Sequence, residues 1–179
     1  METVGQSSIR SGAAEAAGPL VLQVLPAMEM GGVERGTVQI AGALGAVGWR
    51  AVVASAGGLM AHDLDRVGAQ HVQLPLQSKR PLRMLRNADA LAEVINRLGV
   101  DLVHARSRAP AWSALSAARR TNTPFVTTFH SPYGHNWLKH HYNAVMAKGD
   151  RVIAISEFLA EHARRIYKVD DGRLSTIHR

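Results

Sequence analysis

Residues 20–25 read Leu-Val-Leu-Gln-Val-Leu, an apolar run of strand length. Two adjacent glycines, Gly31 and Gly32, follow, and then Val33, Thr37, Ile40, Ala41, Leu44 and Val47 recur at helical spacing. The pattern predicts a strand, a glycine turn and a helix. The alternation repeats, with a β-like run at 51–54, a helical stretch at 60–67 and a strand at 71–74. A polar connection over 77–83 leads to a helix whose apolar positions are Leu85, Ala88, Leu91, Ala92, Ile95 and Leu98, with Gly99 placed to end it. Beyond it come a strand at 102–104, a helix at 110–120, a strand at 125–129 and a helix between 137 and 148. A strand at 151–155 precedes Ser156, an N-cap with Glu157 in the first turn; a helix at 158–167 and a strand at 174–177 complete the pattern.

Strands alternating with helices through short turns predict an α/β fold, a Rossmann-like doubly wound parallel sheet with helices on both faces. No internal repeat is visible. In such sheets a ligand lies beyond the carboxyl ends of the strands, so the residues just after each strand are the ones to inspect. With 179 residues, 46% hydrophobic and 20% charged, the chain has the size of one domain, expected over 19–179 after a disordered leader at 1–18. That leader has neither a basic region nor a continuous apolar stretch, and no run approaches the roughly 20 apolar residues that span a bilayer. The absence of cysteine excludes disulfides, thiolate metal sites and a cysteine nucleophile.

A formal charge of +7 favours anionic partners: a sugar nucleotide, a phosphorylated glycan or an anionic membrane surface. Nucleic acid is disfavoured, because only 5% of residues are aromatic and no nucleic-acid-binding motif is present. Two glycines opening a helix let a ligand approach unpaired N–H donors at the positive end of the helix, a natural anion site. The spacing matches neither the dinucleotide nor the P-loop pattern, and a plain tight turn fits as well. The predicted carboxyl edge gathers Gly31, Gly32, Glu34 and Arg35, then Ser55, Gly57 and Gly58, then His104, Arg106 and Arg108, and finally His130, Ser131, Tyr133 and Gly134. Arginines there hold phosphate or carboxylate through paired N–H bonds, and a histidine can hydrogen-bond a hydroxyl or pass a proton. The competing readings are satisfied structural histidines at 104 and 130 and solvated loop charges at 106 and 108. The cluster His135, Lys139, His140 and His141 has metal-like spacing but no carboxylate pair nearby, so a basic surface is favoured over a metal site. No Ser-His-Asp order is present.

An ordered set of segments carries a family resemblance. Leu22-Gln23-Val24-Leu25-Pro26 with Gly31-Gly32-Val33-Glu34-Arg35-Gly36, then Val103-His104-Ala105-Arg106-Ser107-Arg108, Thr127-Thr128-Phe129-His130 and Val152-Ile153-Ala154-Ile155-Ser156 together resemble the amino-terminal half of a family 4 glycosyltransferase of the GT-B fold. The resemblance runs from about Leu20 to the end. It implies a retaining transferase that moves a sugar from a nucleotide-sugar donor to a glycan or lipid-linked acceptor, in cell-envelope polysaccharide or lipopolysaccharide synthesis, with no metal and no other cofactor. It implies that Gly31 and Gly32 lie near the donor diphosphate, and that His130 sits between the transferred sugar and the acceptor as the catalytic residue. Glu34, Arg35, Arg106, Arg108, Tyr133 and Lys139 would then contact the acceptor.

The same resemblance leads one to expect a carboxyl-terminal donor-binding domain, or a partner chain, where the sequence stops at His178-Arg179, and little activity from this half alone. Two other functions fit the residues: a non-catalytic module that holds a phosphorylated ligand, and half of a nucleotide-sugar epimerase. A cytoplasmic location, peripheral at the inner membrane face, follows from where donor nucleotides are kept.

Overall fold

Seven strands among the described residues, all parallel, form one sheet. The computed structural model describes residues 18–133 and 137–178, so residues 1–17 of the expected leader, Gly134, His135 and Arg179 lie outside the described residues. The strands are β1 (Leu20–Val24), β2 (Arg50–Ser55), β3 (Gln70–Gln73), β4 (Leu102–Ala105), β5 (Phe125–Phe129), β6 (Arg151–Ala154) and β7 (Leu174–Thr176), side by side in the order β3-β2-β1-β4-β5-β6-β7. The helices are α1 (Gly32–Ala46), α2 (Ala61–Arg66), α3 (Pro81–Leu98), α4 (Arg108–Arg120), α5 (Trp137–Asn143) and α6 (Glu157–Tyr167). The expected Rossmann-like architecture is what the chain adopts.

β1 sits in the middle, and every one of its residues is buried. That is why its sequence is a nearly continuous apolar run rather than an alternating one. Leu25, Ala51 and Val53 pack against Ala41, Val33 and Val38 of α1 on one face. On the other, Leu22, Val24, Val103, Phe129 and Val152 meet Leu91 and Ile95 of α3, Ala114 of α4 and Leu159 of α6. Two aspartates fix where strands begin. Asp101 Oδ2 accepts from the Leu20 N–H at 2.7 Å, and Asp150 Oδ2 accepts from the Phe125 N–H at 2.8 Å. Each carboxylate, just before one strand, satisfies the first donor of its neighbour.

Local chemistry explains both ends of α3 and the start of α6. Pro81 is the first residue of α3, where its missing N–H costs nothing, and Gly99 ends that helix in the left-handed region at φ 65°. The helix thus takes in the last residues of the polar connection expected over 77–83. The Ser156 hydroxyl accepts from the Leu159 N–H at 3.3 Å and caps α6 as expected. The helix expected over 137–148 differs. It is α-helical only to Asn143 and continues as a 3-10 turn, Ala144–Ala147. Tertiary contacts override propensity there, because Val145 and Met146 are fully buried and the Met146 carbonyl accepts from the Thr127 hydroxyl of β5 at 2.5 Å.

The two faces are covered unequally. On the α1 side Leu102, Val126, Ile153 and Ile155 stay only partly buried. Among the described residues no helix is long and apolar enough to cross a membrane.

Candidate functional site

β1 and β4 are neighbours, yet β1 connects onward to one side of the sheet and β4 to the other. Such a switch point opens a crevice at the carboxyl edge. The loop from β1 into α1 forms one wall. Gly31 is the helix N-cap with extended backbone, and its carbonyl accepts from the Arg35 N–H at 3.1 Å. The β2 loop braces this wall, since the Met28 N–H donates to the Gly57 carbonyl at 2.7 Å and the Met60 N–H to the Met28 carbonyl at 2.8 Å. Gly58 makes that contact possible. Its φ is 135°, and a Cβ there would lie 2.6 Å from the Met28 carbonyl.

Glu34 folds back over Gly31, so a side chain at Gly31 would strike the Glu34 carboxylate. This acidic group in the first turn meets the positive end of α1. Arg35 is exposed on α1.

A cavity of about 200 Å³ lies between α1 and the sheet, on the side where β4 to β7 are thinly covered. Gly36, Gln39 and Ile40 of α1 form one side, and His104, Arg106, Thr128, His130, Ile153 and Ile155 form the other. His130 and Arg106 therefore meet in one cavity from the ends of adjacent strands. The floor is the polar row His104 and Thr128, with Gln23 of β1 in register beside His104 but outside the lining. Gln23, His104 and Thr128 are all buried, Gln23 Nε2 donates to the Thr37 carbonyl at 3.1 Å, and His104 Nε2 lies 2.7 Å from the Thr128 hydroxyl. Burial above all, with help from the Arg106 guanidinium and the His130 ring, pulls the His104 pKa down to about 3. His104 is a neutral hydrogen-bonding group at every physiological pH.

That shift predicts acid sensitivity. The folded value lies below the unfolded 6.5, so the unfolded chain binds more protons below pH 6.5. The stability present above pH 6.5 is lost as pH falls toward 3, at up to about 1.4 kcal/mol per pH unit from this group. His71, also lowered by burial, acts in the same direction. Thermal melts from pH 7.5 to 5 should show a falling midpoint, with a shallower fall in His104→Gln. A wild-type midpoint that does not move over this range contradicts the buried neutral imidazole.

Arg106 and Arg108 part company. Arg106, 3% exposed, faces the His130 cavity, whereas Arg108 lines a second cavity together with Lys139. Arg108 Nη1 donates to Asn143 Oδ1 at 3.0 Å, and its guanidinium lies 4.6 Å from the centre of the Tyr133 ring. Tyr133 itself is in the core, 6% exposed and packed on Phe129 with ring centres 5.2 Å apart. Burial foremost pushes its hydroxyl pKa up to about 12. It supports Arg108 from below instead of presenting a surface to a ligand. Thr128 and Gln39 in the first cavity, and Lys79 and Asn143 in the second, were not singled out from the sequence. Gln23 could have been, as the one polar residue inside the first apolar run.

Comparison with known proteins bears on this geometry. The family model described as Glycosyltransferase Family 4 matches residues 30–179. No curated protein sequence matches the chain. A glycosyltransferase from Rickettsia africae superimposes with a TM-score of 0.80 at 40% identity, over 92% of this chain and 44% of that one. A sucrose-phosphate synthase from Thermosynechococcus elongatus gives 0.70 at 14% identity, over 89% of this chain and 48% of that one. HepE of Anabaena, solved in complex with UDP and glucose, gives 0.70 at 16%, over 88% of this chain and 44% of that one. The last two likenesses are of fold alone. The chain spans less than half the length of each of these structures.

Proposed function

This chain belongs to Glycosyltransferase Family 4, and from that membership we propose that it forms the acceptor-side half of a retaining glycosyltransferase. The observation that carries the proposal is the single cavity in which His130, Arg106 and the polar row of His104 and Thr128 face α1, the helix that the glycine pair opens. Such a cavity can orient a sugar hydroxyl by hydrogen bonds to His130 while cationic and N–H groups nearby stabilise charge on a departing diphosphate. His130 binds and stabilises charge in this scheme and need not take a proton.

The donor is a nucleoside diphosphate sugar. HepE, of the same fold, was solved with UDP and with UDP-glucose, which supports this choice. The donor's diphosphate approaches the first-turn N–H groups at Gly31 and Gly32, and the remainder of the donor is held by a second domain or partner chain. The acceptor is a glycan or a lipid-linked sugar of the cell envelope. The edge that would meet a membrane carries Lys79, Arg80, Arg83 and Arg86, together with Leu82 and Leu85, each 63% exposed. Basic residues at the positive end of α3, with no acidic residue in its first turn, suit a peripheral position on an anionic inner membrane face.

Titration of the intact gene product with UDP tests the donor side. Gly32 is exposed, so Gly32→Val leaves folding nearly unchanged while its side chain obstructs the approach to the helix N-terminus. UDP affinity should fall about tenfold or more, a loss near 1.4 kcal/mol. Unchanged affinity in the variant removes Gly31 and Gly32 from the donor site.

A further inference from the structure

Beyond the His130 cavity, a second cavity of about 350 Å³ opens at the same sheet edge, between the β3–α3 connection, the start of α4 and α5. Lys79, Arg108 and Lys139 line it with Ser107, Tyr142 and Asn143, and no carboxylate is among its lining residues. Three cations brought from three separate elements repel one another, a cost that surface charges ordinarily relieve by pairing with acids.

The start of α4 adds further positive character. Ser107 is the N-cap, but its hydroxyl makes no capping bond, and no acidic residue stands in the first turn. The third helical residue is Pro110, which has no N–H, so the Arg108 and Ala109 N–H groups are the donors this end presents. Arg108 is already oriented, by Asn143 Oδ1 at 3.0 Å and by the Tyr133 ring at 4.6 Å. A guanidinium held before the ligand arrives loses less freedom on binding. The volume admits a phosphoryl group with part of a sugar or glycerol attached.

We propose that this second cavity is an anion subsite that takes a phosphate ester on the acceptor, with Lys79, Arg108 and Lys139 as the charged contacts and the Arg108 and Ala109 N–H groups as backbone donors. The assignment rests on the acceptor-side function proposed above and gives that acceptor a chemical class. Arg106 and Arg108 then serve two different subsites, one at the transferred sugar and one at the phosphate.

The test is a titration of the full chain with inorganic phosphate at constant ionic strength, followed by the ¹⁵N amide resonances. Saturable shifts at Arg108 and Ala109, with phosphate affinity at least tenfold weaker in a Lys79→Gln/Lys139→Gln double variant, are expected. Shifts that do not saturate, or that persist unchanged in the double variant, overturn the subsite. Glucose 6-phosphate and phosphatidylglycerol-containing vesicles then identify the source. Tighter binding of the sugar phosphate supports a soluble phosphorylated acceptor, and vesicle binding lost in the double variant supports a lipid headgroup. Because the readout is binding, the two proposals fail separately. Saturable phosphate binding with no sugar transfer by the protein joined to its donor-binding domain or partner chain keeps the subsite and sinks the transferase, whereas an active transferase lacking these shifts sinks the subsite alone.

Discussion

Under the proposed transferase function, His130→Ala is expected to lower the sugar-transfer rate by about a hundredfold to a thousandfold, the scale found when one preorganised donor to a developing charge is removed. The His130 ring reaches the cavity from the end of β5, opposite α1 and beside Arg106. Its loss leaves the strand intact, because residue 130 lies beyond the last hydrogen-bonded position of β5 and the core contacts there belong to Phe129. Thermal unfolding should therefore move by only a few degrees. Steady-state kinetics with donor and acceptor varied separately make the distinction. A fall in kcat with near-wild-type melting is expected, while losses of activity and stability that run in parallel assign His130 to structure. His130→Gln should recover part of the rate if hydrogen bonding carries the effect, and none if a proton must move.

Phe129→Ala, one residue away, is expected to do the reverse. The Phe129 side chain points to the opposite face, is fully buried, and packs against Tyr133 and Tyr167 with ring centres 5.2 and 5.7 Å away. Truncating a buried phenylalanine costs about 3–5 kcal/mol from lost burial and the cavity left behind. For a chain of this size that lowers the melting temperature on the order of 10 °C. Denaturant titration measures the loss, and a cost below about 1 kcal/mol would mean that the aromatic cluster is loosely packed. Because Tyr133 supports Arg108, the same substitution should also weaken phosphate binding in the second cavity. Two adjacent residues, the last of β5 and the one that follows it, are thus expected to separate chemistry from stability.

β1 was legible because a parallel strand buried on both faces is a nearly continuous apolar run, as at 20–25, whereas the runs at 125–129 and 151–155, less covered on the α1 side, were legible from their β-branched and aromatic residues. Helix periodicity and the signals at Gly99 and Ser156 placed most boundaries within a few residues, whereas Pro81, which opens α3, falls inside the polar connection expected over 77–83. The break after Asn143 was not legible, since it depends on a hydroxyl of β5 and on core space beneath Met146. Glycosyltransferase membership was accessible from the ordered strand-end segments, and the match over residues 30–179 bears it out. Division of the edge into two cavities was not. Arg106 continues the alternation of β4 onto the α1 side, whereas Arg108 is the first residue of α4 on the other side. Spacing of two residues would ordinarily keep two side chains on one face of a strand, but here β4 ends at Ala105 and α4 begins at the second of them. Lys79 was equally hidden, because only the crossover through α3 brings it to the start of α4.

That crossover has a bearing on how the protein is made. β1 needs β2 on one side and β4 on the other, and the bond between Leu20 and Asp101 joins residues 81 apart in the chain. At about 5–20 residues per second of synthesis, the first strand waits roughly 4–16 s for its second neighbour. During that interval its other edge, Leu-Val-Leu-Gln-Val, presents unpaired backbone beside an apolar face, the combination that recruits foreign strands. The nascent amino-terminal half is therefore the stage of this protein's life at which chaperone protection matters most.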